Sequence, residues 1–313
     1  MSVDKKLKIL KKVLGQFYNK TDEYLFHCPK CDHHKKKLSV NIRKNVFKCW
    51  VCDWSGKNLY RIVRNYGNTN SRYEWRSISE GTEIENFHDK LFSRNVIEKP
   101  GVSLSLPNEF VSLANKNLPK TALYPLNYLK SRGVEKKDII KWKIGYCTTG
   151  EYASRVVFPS FDLAGELSFF VTRAYDNSWK KYINPPVSKD IIFNHLYLDF
   201  NEDLVIVEGV FDAAIAGDNS VPLLGSTLTE RSKLFYEIIK NDTPVYLALD
   251  PDASRKTDKI IKLLLKYDVE LRKIDVGSYK DVGEMSKAEF SIRKQSAEVL
   301  DLDNYLLRKI RRI

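Results

Sequence analysis

The sequence predicts an α/β chain, α+β taken as a whole, in which a small N-terminal ribbon precedes a larger domain built on a parallel sheet. Three observations carry that expectation. They are two Cys-x2-Cys pairs near the N-terminus, a concentration of positive charge around them, and apolar strands alternating with helical stretches in the second half. A chain of 313 residues is long enough for two or three folded units, each burying its own core. Hydrophobic residues make up 43% and charged residues 29%, the balance of a globular protein, and no apolar run reaches the roughly 20 residues of a membrane span. Residues 1–14 are Lys-rich and lack the apolar stretch and small-residue cleavage site of a secretory signal, so a cytoplasmic location is expected.

The ribbon rests on Cys28, Cys31, Cys49 and Cys52, two knuckles separated by 17 residues. Each knuckle points two thiolates the same way, and a hairpin that brings the knuckles together completes a tetrahedron around one structural Zn2+. A disulfide pair is disfavoured in a cytoplasmic chain. His27, His33 and His34 flank the first knuckle, but four thiolates already close a structural site. Between the knuckles, residues 38–42 alternate apolar and polar, as a half-buried strand does, and a return strand starts at Asn45. Leu59, Ile62 and Val63 then recur at helical spacing.

Charge points the same module at nucleic acid. The formal net charge is +12, and residues 1–66 alone hold 16 Lys or Arg against 5 Asp or Glu. Such an excess gains affinity by releasing counterions from phosphates. Arg43, Lys44 and Lys48 are interleaved with Phe47, Trp50 and Trp54, a mixture suited to single-stranded nucleic acid, with at least one tryptophan expected in the ribbon's own core. Residues 67–105 show no sustained period and read as a linker.

In the second half an apolar strand from Leu204 ends in Glu208 and Gly209, and Asp212 opens a helix. A second strand from Val245 ends in Asp250-Pro251-Asp252 before a helix over 259–266, and a third near 271–276 leads to Asp281 and Glu284. Strands alternating with helices imply a parallel sheet whose carboxyl ends carry the site, which places all three acidic clusters on one edge. Converging carboxylates need cations between them, and hard oxygen ligands select Mg2+ or Mn2+. Two such ions would suit phosphoryl transfer.

Residues 204–285 resemble a TOPRIM domain, with Glu208, Asp212, Asp250 and Asp252 at its signature positions. Upstream, Tyr-Leu-Lys-Ser-Arg-Gly-Val at 128–134, Ile-Gly-Tyr at 144–146, Arg-Val-Val-Phe-Pro at 155–159 and Lys-Tyr-Ile-Asn-Pro-Pro at 181–186 resemble, in order, stretches of the DnaG-type primase polymerase domain. Leu-Gly-Ser-Thr-Leu-Thr at 224–229 matches a turn between the TOPRIM strands. With the ribbon in front, the resemblance covers about residues 20–290 and is greatest to the compact primases of bacteriophages.

The resemblance implies five segments: a template-binding zinc ribbon at 1–66, a linker at 67–105, a basic N-terminal subdomain of the RNA polymerase domain at 106–203, a TOPRIM subdomain at 204–285 and a helical tail at 286–313. It implies synthesis of short RNA primers on single-stranded DNA by two-metal-ion nucleotidyl transfer. Glu208 would be ligand or base; Asp250 and Asp252 would bind metal; Asp212 and Asp281 would complete the acidic set. Arg132, Arg155, Arg173, Lys181 and Asn184 would meet template and ribonucleoside triphosphates, and a separate replicative helicase would be a partner. Two departures stand out. Ala253-Ser254-Arg255-Lys256 replaces the usual Ala-Gly pair after the second acidic cluster, and Asp281 with Glu284 replaces two closely spaced aspartates. The rival readings are a TOPRIM nuclease and a zinc-plus-TOPRIM recombination scaffold, which lacks the 155–159 and 181–186 segments. A type IA topoisomerase would need a large further domain carrying a tyrosine.

Overall fold

A computed structural model describes residues 2–21, 23–79, 104–301 and 305. Two compact units divide between residues 95 and 96, and each is treated by itself.

The first unit begins with helix α1 (Ser2–Leu14), which buries Ile9 and Leu10. Strands β1 (Tyr18–Lys20), β2 (Glu23–Phe26), β3 (Leu38–Asn41), β4 (Val46–Cys49) and β5 (Ser55–Gly56) form an antiparallel sheet in that order. The turn between β3 and β4 is built by asparagines. Asn41 Oδ1 accepts the Lys44 N–H at 2.9 Å, and Asn45 takes the left-handed conformation (φ 56°) that this residue type tolerates. Strand β3 is buried at every position, not half-buried as its alternation predicts. Its polar members are satisfied locally, Ser39 Oγ donating to Glu23 at 2.6 Å, so both faces can be covered.

Helix α2 (Tyr60–Tyr66) follows, and then α3 (Thr69–Ser79). The start of the expected linker is therefore helical. Its polar composition hides a single apolar stripe, in which Trp75 is 3% exposed and Ile78 packs beside it. Asn68 receives the Ser71 N–H at 2.9 Å at the helix start, Lys12 pairs with Glu74 at 2.7 Å, and Arg76 donates to Tyr60 Oη at 3.1 Å. These tie α3 to α1 and α2. Residues 80–103 of the expected linker lie outside the described residues.

The second unit contains two sheets around one core. Strands β6 (Val111–Ser112), β7 (Gly145–Cys147), β8 (Arg155–Phe161) and β9 (Leu167–Ala174) are antiparallel, with helices α4 (Leu123–Ser131) and α5 (Lys136–Lys141) between β6 and β7. Pro159 is accommodated because β7 pairs only with Arg155, Val156 and Val157, leaving β8 one neighbour at the proline. The larger sheet holds β10 (Leu204–Val207), β11 (Ser220–Pro222), β12 (Val245–Ala248), β13 (Leu271–Lys273) and β14 (Glu298–Leu300) in the order β11-β10-β12-β13-β14. The first four are parallel, joined through α6 (Val210–Ala216), α7 (Lys233–Asn241) and α8 (Ser254–Lys266). Strands β10 and β12 are buried throughout, as a sheet covered on both faces requires.

The segments expected as separate subdomains, 106–203 and 204–285, share this core. Trp142, Phe158 and Phe211 stack edge-on across it, with ring centroids 6.3 and 5.1 Å apart. The expected helical tail supplies α9 (Lys287–Gln295) and then β14, which runs antiparallel to β13 and closes that edge of the sheet. Phe290 and Tyr305 are buried, and Tyr305 Oη reaches Asp258 at 2.7 Å. Leu302, Leu306 and Ile310 of the tail lie outside the described residues.

Candidate nucleic-acid and metal sites

In the first unit the four cysteines converge, all donor sulfurs lying within 4.8 Å of one another. Cys28 Sγ stands 3.8 Å from Cys52 Sγ, and Cys31 Sγ 3.9 Å from Cys49 Sγ. A tetrahedron with metal–sulfur bonds of about 2.3 Å has edges of roughly 3.8 Å, so these separations fit one zinc ion. Left-handed Asp32 (φ 45°) and Asp53 (φ 54°) each follow the second cysteine of a knuckle and turn the chain back. Burial pushes the Cys28 thiol up to about 12; burial also opposes ionisation of Cys49, but the N–H groups of Cys52 and Val51 bring it net down to about 7. His27 is exposed, its Nδ1 3.3 Å from the His33 carbonyl, outside the thiolate set.

Arg43, Lys44 and Lys48 are exposed on the same sheet. The tryptophans divide. Trp54 packs on Phe47 (ring centroids 4.6 Å) inside the core, whereas Trp50 is 64% exposed with the Lys48 ammonium 5.1 Å above its ring. Lys48 also meets Asp53 at 3.3 Å. The result is an open edge of cations beside one accessible aromatic face.

In the second unit the chain leaves β10 for β11 on one side and returns to β12 on the other, so the carboxyl ends of β10 and β12 flank a topological switch point. Glu208 directly follows β10 and Asp250 follows β12 by two residues. Asp212, on the first turn of α6, accepts the Gly209 N–H at 2.8 Å through Oδ2 and the Gly283 N–H at 2.7 Å through Oδ1. It therefore ties α6 to the loop carrying Asp281. Gly283 is where charges meet: a Cβ there would lie 3.0 Å from Asp212 Oδ1, 3.2 Å from Asp281 Oδ1 and 3.3 Å from an Arg132 nitrogen.

At this edge three buried carboxylate oxygens, Glu208 Oε2, Asp250 Oδ1 and Asp281 Oδ1, have no hydrogen-bond partner. Desolvation and then the charges of Asp212 and Glu208 push Asp250 up to about 7, while desolvation pushes Asp212 up to about 6 against its two N–H bonds. Orphaned oxygens and carboxyls that resist ionising are what a cation between them would relieve, so the donor set fits hard divalent ions. Asp252 is exposed at the rim, and Glu284 is exposed too, accepting the Lys280 N–H at 3.0 Å. The absent glycine after Asp252 costs nothing. Asp250, Ala253 and Ser254 all have negative φ (−58°, −81° and −52°), so the chain enters α8 in conformations open to any residue.

The basic candidates separate into two groups. Arg132 lies at the acidic edge, its guanidinium 4.9 Å over the Phe211 ring and its charge lowering Asp212. Arg173 donates to Tyr128 Oη at 3.1 Å and sits 4.7 Å over the Tyr182 ring, and Tyr128 meets Phe211 edge-on at 5.9 Å. Arg173, Tyr128, Phe211 and Arg132 thus run as a chain of contacts to the carboxylates. Arg155, by contrast, is 4% exposed and donates to the carbonyls of Lys180 (2.6 Å) and Lys181 (3.1 Å). Its place is that of an anchor for the 175–182 loop, with the Lys181 side chain exposed beyond it. Asn184 Oδ1 accepts the Thr172 N–H at 3.2 Å, a bond that seats the segment against β9.

The sequence patterns did not single out Lys256, whose ammonium meets Glu208 Oε1 at 2.6 Å, or the linking roles of Tyr128 and Phe211. A lysine in the first helical turn, where the dipole disfavours it, is the one sequence signal that marks Lys256.

No protein-family model matches the chain. It is 24% identical over 305 aligned positions to the DNA primase of Clostridium acetobutylicum, the match covering 80% of this chain and 50% of that one. The chain spans about half the length of the curated relatives it matches first. Among solved structures, a DNA primase domain from Pseudomonas aeruginosa matches with a TM-score of 0.51 at 19% identity, over 63% of this chain and 78% of that one. A DnaG primase catalytic domain bound to single-stranded DNA matches with a TM-score of 0.50 at 18% identity, over 58% and 74%. In sequence over most of its length, and in fold over about three fifths of it, this chain is similar to the DnaG-type DNA primases.

Proposed function

We propose that the chain is a DNA primase, which synthesises short RNA primers on a single-stranded DNA template from ribonucleoside triphosphates. The observation that carries this is the acidic edge at the switch point, with three orphaned carboxylate oxygens, joined through Phe211 and Tyr128 to the basic segment around Arg173. Glu208, Asp250 and Asp281 would hold divalent ions, with Asp252 at the rim. Bound there, Mg2+ or Mn2+ supplies activation of the attacking hydroxyl and charge stabilisation of the leaving pyrophosphate. The chain's own residues do the rest. Asp212 fixes the Asp281 loop, Arg132 offers a guanidinium fork to phosphate oxygens, and the buried Arg155 presents Lys181 towards solvent for template or nucleotide.

The exposed Arg43, Lys44 and Lys48 with Trp50 support a template-binding role for the zinc-ribbon unit. The relatives' printed activity favours primer synthesis over the nuclease and scaffold readings. Among the described residues no helix is long and apolar enough to cross a membrane. A cytoplasmic setting and a separate replicative helicase are part of the same proposal.

The test is template-dependent synthesis of short oligoribonucleotides with Mg2+. Asp250→Ala should abolish incorporation, a loss of at least a thousandfold, while single-stranded DNA binding is kept. If the protein binds single strands yet never incorporates a nucleotide, even with a helicase present, the scaffold reading replaces this one.

A further inference from the structure

One carboxylate of the acidic edge is already neutralised by the protein. Lys256 Nζ lies 2.6 Å from Glu208 Oε1, and the two side chains are only 19% and 23% exposed. A pair this far withdrawn from solvent is screened less than a surface ion pair, and the same carboxylate leaves Oε2 buried without a partner. Lys256 sits in the first turn of α8, where the helix dipole opposes a cation, so helix stability does not account for its position. Its side chain crosses from the segment after β12 to the tip of β10, the two strand ends that flank the switch point.

We propose that Lys256 exchanges partners during the reaction: it holds Glu208 in the free protein, yields that carboxylate to an entering divalent ion, and then pairs with the triphosphate of the nucleotide. The inference rests on the metal-assisted reading of the acidic edge. Uptake of the Glu208 oxygens by a divalent ion would displace the ammonium, and the four-carbon tether would keep the freed charge close to the acidic edge. Polyanionic triphosphate is the partner that the chemistry of the site delivers next. Lysine suits such a swing better than arginine, because a compact point charge on a flexible stem needs no fixed bidentate geometry.

Amine reactivity follows the exchange directly. Acylation of Lys256 in the full chain, read by mass spectrometry, should be low in the metal-free protein. It should rise about fivefold or more with Mn2+ alone and fall again with Mn2+ plus inorganic triphosphate. Calorimetric titration with Mn2+ alone should show Lys256→Met binding the ion about 5- to 10-fold more tightly than the parent chain, because the resident competitor is gone. Inorganic triphosphate should bind the Mn2+-loaded variant about tenfold more weakly. Flat reactivity across the three states, with Mn2+ binding evident, makes the pair static and overturns the exchange. A silent Mn2+ titration instead overturns the metal reading of the edge, so the two failures are told apart without measuring primer synthesis.

Discussion

The chain carries two candidate metal centres of opposite construction. In the first unit four thiolates close on one another within 4.8 Å, at the edge lengths of a zinc tetrahedron, and leave no position open. In the second, Glu208 and Asp250 follow two strand ends beside Asp212 and Asp281, three of the carboxylate oxygens there are unpartnered, and two of the acids are pushed up to about 6 and about 7. The first arrangement suits an ion that holds a fold together. On the proposed reading the second would suit ions that come and go with substrate, its unpartnered oxygens offering hard ligands without enclosing the ion. On that reading, structural and reactive metal chemistry would be separated into different units of one chain.

The sharpest way to break that contrast is to remove the metals one class at a time. Stripping zinc with a strong chelator, or Cys49→Ala, should unfold the first unit, because zinc binding contributes about 10–16 kcal/mol to modules that depend on it. Hydrogen exchange should lose protection across β3, β4 and α2, while β10 and β12 stay protected. Removing Mg2+ or Mn2+ should leave both units folded. If the first unit keeps its protection without zinc, the core around Leu10, Phe26 and Trp75 is self-sufficient and the contrast fails.

A smaller effect tests the second centre through pH. Asp212 and Asp250 have folded-state values raised from 3.8 to about 6 and about 7. The folded chain therefore holds these protons more tightly than the unfolded one. The stability they contribute is complete below about pH 4 and is lost as pH rises through 6 to 7. Without divalent ions the second unit should melt at lower temperature at pH 8 than at pH 5, and Mg2+ should restore the midpoint at pH 8 but not at pH 5. Asp250→Asn should raise the metal-free midpoint at pH 8 by on the order of 1 kcal/mol after discounting for solvent, or roughly 2–4 °C. An unchanged midpoint for Asp250→Asn at pH 8 would show that the carboxylates do not repel.

The two centres also differed in how far they could be read from sequence. Cys28, Cys31, Cys49 and Cys52 disclose the zinc site because knuckle spacing fixes local geometry, with little help from the rest of the fold. Glu208 and Asp250 were legible as strand-end acids because parallel strands read as continuous apolar runs. What no local pattern encodes is the approach of side chains far apart in sequence. Arg155 and Lys181 look alike as basic residues, but the pairing of β8 with β9 buries one beneath the loop that exposes the other. Lys256 reaches Glu208 across 48 positions. Helix α3 was hidden for a related reason, since Trp75 and Ile78 make too sparse a stripe until α1 and α2 are there to receive it.

The finest test concerns which acid completes the second centre. Asp281 and Glu284 are three residues apart and equally acidic on paper, but the loop between them, Val282-Gly283, turns the two side chains to different tasks. Asp281 keeps a buried oxygen without a partner at the Gly283 crossing, whereas Glu284 is exposed and occupied by the Lys280 N–H. Asp281→Asn should therefore weaken Mn2+ binding by roughly 10- to 100-fold. Glu284→Gln should change it by less than about twofold, with stability within about 0.5 kcal/mol, as for an exposed surface group. Were Glu284→Gln the more damaging of the two in calorimetric titration, the ion would be drawing its ligand from the rim, and the centre would be more open than the one described by the three orphaned oxygens.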